Sequence, residues 1–140
     1  MAALGAEFAV LLLISGNWHT LTKLEKELDK LKGVEGLTIN LKKTGARNDQ
    51  KDCIPYGVDV VCLDQPGIVF HLAEFFAARN IEISDLATRR YAAAHTGAPM
   101  FSVQMTLNIP GTASIAQLRD EFLDLCEQLN LDSILEPVKL

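Results

Sequence analysis

The run Asp64-Gln65-Pro66-Gly67-Ile68 is where residue types and spacing in this chain best suit chemistry on a small ligand. Glycine lets backbone come close to a bound molecule, and free amides at the start of a following helix favour a carboxylate. The same residues need no ligand to explain them, because Asp-x-Pro-Gly is also a good turn and helix start. Elsewhere the reactive side chains lack a constellation. Cys53, Cys62 and Cys126 include no C-x-x-C pair and no histidine at ligand spacing, so they read as reduced thiols of a cytoplasmic protein. His19 and His71 fall in helical patterns, and His95 lies in an alanine-rich turn; none makes a catalytic pair. Lys42, Lys43, Arg47 and Lys51 form a weak basic patch diluted by Asp49 and Asp52. Arg89 and Arg90 end a strand, where they could pair with acidic neighbours or bind an anion, and surface pairing is the expectation. No catalytic residue, metal site or cofactor is expected.

The chain has 140 residues, 49% apolar and 22% charged, the composition of an ordinary globular protein able to bury its own core. Thirteen Lys and Arg against eighteen Asp and Glu give 13 − 18 = −5, so the chain repels phosphate backbones and direct nucleic-acid binding is not expected. The apolar run from Phe8 to Ile14 is too short to span a bilayer and follows Glu7 rather than Lys or Arg, which argues against a signal peptide or membrane segment.

These residues need elements to position them. Phe8 to Ser15 reads as a buried strand, and Leu21, Leu24, Leu28 and Leu31 mark an amphipathic helix from Trp18 that ends near Gly33. Leu37, Ile39 and Leu41 alternate as a half-buried strand, so residues 1–44 read as strand, helix, strand. Residues 44–55 carry no periodic apolar positions and read as a solvated connection, with 45–55 the linker between domains. Val58, Val60, Val61 and Leu63 predict a strand, and Ile68, Val69, Leu72, Phe75 and Phe76 a helix closed by Asn80. An extended stretch runs on to Tyr91. After a turn over Ala92 to Pro99, Phe101, Val103, Met105 and Leu107 predict a strand. Ile115, Leu118, Phe122, Leu125 and Leu129 predict a helix, and Ile134 and Leu135 a last strand. Residues 56–140 are therefore a βαββαβ module: an α+β, ferredoxin-like domain with an antiparallel sheet and both helices on one face.

An internal repeat links the two parts. Leu21, Leu24, Leu28 and Leu31 map onto Ile115, Leu118, Phe122 and Leu125, and Phe8, Val10, Leu12 and Ile14 onto Phe101, Val103, Met105 and Leu107. The chain reads as half a module followed by a whole one. In a sheet ordered 4-1-3-2 the third and fourth strands are not neighbours, which leaves the half module with a gap of about 9–10 Å. A strand from another copy, or a rearranged pairing, is expected to fill it.

The fold alone does not name a function. Acylphosphatase-like hydrolysis needs a cation at the first strand-helix loop, where Asp64 and Gln65 stand instead. RNA recognition needs aromatic residues on the central strands, and only Tyr56 and Phe101 are offered. Metal transfer needs C-x-x-C in the loop that here holds the single Cys62.

The run V-V-C-L-D-Q-P-G-I-V from Val60 to Val69, followed by Asn80-Ile81-Glu82 after the helix, resembles the ACT-domain family, whose modules bind amino acids between paired units. With F-A-V-L-L-L-I-S-G-N-W from Phe8 to Trp18, nearly the whole chain is similar to the tandem-ACT repressors of the glycine cleavage system. That resemblance implies a non-enzymatic regulator acting through contact with a LysR-type activator, responding to glycine, and self-associating through its ACT sheets or by strand completion. It implies an amino-acid site lined by Asp64, Gln65, Gly67 and Ile68, with Asn80, Ile81 and Glu82 on the facing segment. It also implies that the first ACT domain lacks its opening strand, loop and helix, Met1 matching an internal methionine of a longer protein. The other reading is an ACT-type regulatory subunit of an amino-acid biosynthetic enzyme.

Overall fold

A computed structural model describes residues 1–48 and 52–139, so Lys51 of the basic patch and the Asp49 that dilutes it lie outside the described residues. The chain divides into two compact units, Met1–Arg47 and Asn48–Leu140.

In the second unit the order is β3 (Cys53–Leu63), α2 (Ile68–Ala77), β4 (Glu82–Ala92), β5 (Pro99–Pro110), α3 (Ile115–Leu129) and β6 (Asp132–Pro137). The sheet runs β4-β5-β3-β6, and every neighbouring pair is antiparallel. This is the ferredoxin-like α+β fold read from the sequence. Alternation assigns the faces: Tyr56, Val58, Val60 and Cys62 of β3 and Val103, Met105, Leu107 and Ile109 of β5 are buried, while Asp59 and Gln104, opposite each other in register, are exposed. Leu72, Phe75 and Phe76 of α2 and Leu118, Phe122 and Cys126 of α3 close the core, with the Phe122 ring 5.6 Å from Phe75 and 5.4 Å from Phe76.

β3 begins at Cys53, so the connection read over residues 44–55 gives up its last three residues to the ladder, where Cys53, Ile54 and Pro55 face Pro110, Ile109 and Asn108. Proline is tolerated because it stands where the ladder to β6, which starts at Tyr56, gives out, its carbonyl accepting from Val138 N–H at 3.0 Å. In β4 a register irregularity between Ile83 and Asp85 turns Ile83 and Leu86, three apart, onto the core side.

In the first unit, β1 (Ala2–Leu4) pairs antiparallel with β2 (Glu7–Ala9), and α1 (Trp18–Leu31) follows. Asn17 caps α1, its side-chain oxygen accepting from the Thr20 amide at 2.9 Å. Two sequence expectations fail here. Of the strand read over Phe8 to Ser15 only Phe8 and Ala9 enter a ladder, and Leu37, Ile39 and Leu41 enter none among the described residues. Apolar alternation supplies a face, but a strand also needs a neighbour for its N–H and C=O groups. The apolar run is left in the open, with Leu11 95% and Leu13 85% exposed.

Candidate functional site

The loop between β3 and α2 is held at both of its polar side chains. Asp64 donates its backbone N–H to Pro99 O at 2.9 Å, and its Oδ2 lies 2.8 Å from Arg90 Nη2 on β4. Gln65 Nε2 donates to Leu129 O at 2.9 Å, at the C-terminal end of α3. Gly67 is the N-cap of α2 at φ +84°, a conformation that costs most side chains strain, and no side chain caps the helix. Its amide end therefore faces outward uncapped, with positive partial charge. The His71 ring stands 3.5 Å from where a Gly67 Cβ would lie. Ile68 turns inward and is buried in the core.

Asn80, Ile81 and Glu82 lie at the other end of α2. The ten-residue α2, which starts at Ile68, runs from the first group towards the second, about 15 Å at the usual rise, so one unit brings Asp64, Gln65, Gly67 and Ile68 together and leaves Asn80, Ile81 and Glu82 apart from them. Asn80 takes the left-handed conformation at φ +55°, and the Ile81 amide donates back to Phe76 O at 3.0 Å, a helix-terminating arrangement that asks for Gly or Asn. Asn130 repeats it after α3, at φ +54° with Leu131 N–H on Cys126 O at 2.8 Å. Ile81 is buried, and Glu82 Oε2 accepts from Asn108 Nδ2 at 3.1 Å. Fold geometry thus accounts for Ile68, Asn80 and Ile81 without a ligand.

Arg90 is what the sequence reading left out of the site. The expectation that it pairs with an acidic neighbour holds, but the neighbour is Asp64 itself. Two residues 26 positions apart in the chain carry no local signal of that meeting.

Burial raises the Cys62 thiol above its ordinary value of 9.0, with Asp64 and Asp132 adding to the effect, and burial raises Cys126 likewise. Neither is a ready nucleophile. His19, His71 and His95 are exposed. Among the described residues no group of three or more His, Cys, Asp or Glu is placed to hold a metal ion, and no helix is long and apolar enough to cross a membrane. The β3–α2 loop can offer a carboxylate and helix amides to a small polar molecule, with the Arg90 guanidinium of β4 beside the carboxylate. It offers no acid-base pair.

No protein-family model matches the chain. The glycine cleavage system transcriptional repressor of Escherichia coli (strain K12) is 33% identical over 131 residues, covering 93% of this chain and 68% of that protein, and the Shigella flexneri repressor matches to the same extent. Among solved structures, a crystal structure described as a putative glycine cleavage system transcriptional repressor superposes with a TM-score of 0.65 at 23% identity, over 89% of this chain and 70% of that one. An ACT domain protein from Streptococcus pneumoniae gives a TM-score of 0.50 at 19% identity, over 60% and 89%. These structural likenesses carry the ACT fold.

Proposed function

The chain belongs to the family of the glycine cleavage system transcriptional repressor, and from that membership we propose that it is a cytoplasmic, non-enzymatic regulator that represses through contact with a LysR-type activator and senses glycine. The observation that carries this reading is the 33% identity to a named repressor, spread over 93% of the chain rather than confined to one module. The net charge of −5 supports contact with a protein rather than with DNA.

In this reading residues 1–44 are an incomplete ACT unit, residues 45–55 connect, and residues 56–140 form a complete one, its ladder reaching back to Cys53. The amino-acid site is composite. Asp64, Gln65 and Gly67 of one copy face Asn80 and Glu82 of another, with Ile68 and Ile81, whose side chains lie in the core, taking part through their backbone, because the length of α2 keeps the two groups from meeting within a unit.

The test is an electrophoretic mobility assay with a glycine cleavage operator fragment and its LysR-type activator. The chain is expected to retard the activator–DNA complex further, to leave naked DNA unshifted, and to change its affinity for the complex when glycine is added. A shift of naked DNA, or none of the activator complex, would sink the proposal.

A further inference from the structure

Arg90 has no part in the amino-acid site as the loop residues define it, yet the structure sets it against the loop's one carboxylate. Arg90 Nη2 lies 2.8 Å from Asp64 Oδ2, with the Asp64 side chain sheltered at 25% exposure and that of Arg90 open at 72%. Both partners stand on fixed backbone. Asp64 is tied through its N–H to Pro99 O, and Arg90 sits opposite Phe101 in the β4–β5 ladder. An ion pair with one partner this exposed contributes little to stability and opens at little cost.

A free α-amino acid is itself an ion pair, with ammonium and carboxylate on one carbon, and it can be inserted between the two partners without changing the net charge. Building on the amino-acid reading above, we infer that Asp64 and Arg90 are the two halves of a zwitterion site. The Asp64 carboxylate accepts from the ligand ammonium, and the Arg90 guanidinium donates to the ligand carboxylate through its planar fork. A molecule with only one of these charges satisfies one partner and leaves the other without its counter-charge. Arg89 cannot substitute, because successive strand residues point to opposite faces.

Isothermal titration calorimetry on the full chain tests this with glycine, glycinamide and N-acetylglycine as probes. Glycine is expected to bind, and glycinamide and N-acetylglycine at least tenfold more weakly. Arg90→Gln is expected to weaken glycine at least tenfold, Arg90→Lys less, and Arg89→Gln not at all. Arg90 is exposed, so its variants keep the fold, which circular dichroism checks. Glycine binding unchanged in Arg90→Gln, or N-acetylglycine binding as well as glycine, overturns the zwitterion site and leaves the amino-acid reading standing. No heat from glycine with the unaltered chain removes both.

Discussion

At the scale of single residues, Gly67 and Asn80 separate what the backbone needs from what a ligand would need. A Cβ at Gly67 would make only ordinary contact with His71, so Gly67→Ala is destabilising through its φ of +84° alone, by about 1 kcal/mol. A denaturation midpoint measures this, and a loss of several kcal/mol would point to a clash instead. Asn80→Ala should cost a similar amount, while Asn80→Gly should leave stability unchanged, since glycine adopts the same φ freely. If Asn80 also holds an amino acid, Asn80→Gly weakens glycine binding in calorimetry at undiminished stability; unaltered binding removes Asn80 from the site. Both thiols carry a pH signature. Cys62 and Cys126 have folded pKa values raised above 9.0, so the unfolded chain loses those protons first. Their contribution is whole below that pH and lost as pH rises through the folded values. Iodoacetamide at pH 8 should therefore spare both until denaturant is added, and prompt labelling of the folded chain would contradict their burial. The D-Q-P-G run was legible because its turn chemistry is local. The Asp64–Arg90 contact was not, since strand pairing brings those residues together from opposite sides of α2.

At the scale of elements, the aromatic contacts between α2 and α3 hold the helical layer to itself. Phe122 is 1% exposed and meets the rings of both Phe75 and Phe76, so Phe122→Ala should cost about 3–5 kcal/mol in chemical denaturation. Leu123→Ala, one position along at 51% exposure, should change stability by no more than about 0.5 kcal/mol. Equal losses would mean that α3 packs with another face. The second unit was readable because each of its strands and helices shows the period of its own burial and finds a neighbour to bury against. Where the sequence misplaced the start of β3, Pro55 was responsible; the extended stretch read up to Tyr91 is β4, although the irregularity after Ile83 breaks its alternation. The first unit was misread for a different reason. The pattern of Phe8, Val10, Leu12 and Ile14 matches that of β5, but β5 lies between β3 and β4, and no such pair of strands flanks Val10 to Ile14 among the described residues.

For the whole molecule the consequence of that unpaired run is association. Leu11, Leu12 and Leu13 are 95%, 71% and 85% exposed, and Trp18 is 80% exposed. An apolar stretch with open backbone groups is a template for strand pairing with another chain. A net charge of −5 opposes indiscriminate aggregation, which leaves a closed assembly as the favoured outcome. Each copy offers the same strand, and an antiparallel pair of identical strands satisfies both at once, the self-complementary contact of a twofold dimer. Light scattering at micromolar concentration should then give a mass above the 15.4 kDa of one chain. The double variant Leu11→Lys with Leu13→Lys should return it to one chain, since charges on that strand disfavour pairing. The second unit has its own core, so the variant's unfolding transition should stay where it was. If the unaltered chain already runs as a single copy, strand completion by another copy is wrong. If the double variant stays associated, the contact lies elsewhere, and the open face of the β4-β5-β3-β6 sheet becomes the place to look, with Asp59 and Ile134 as the residues to change.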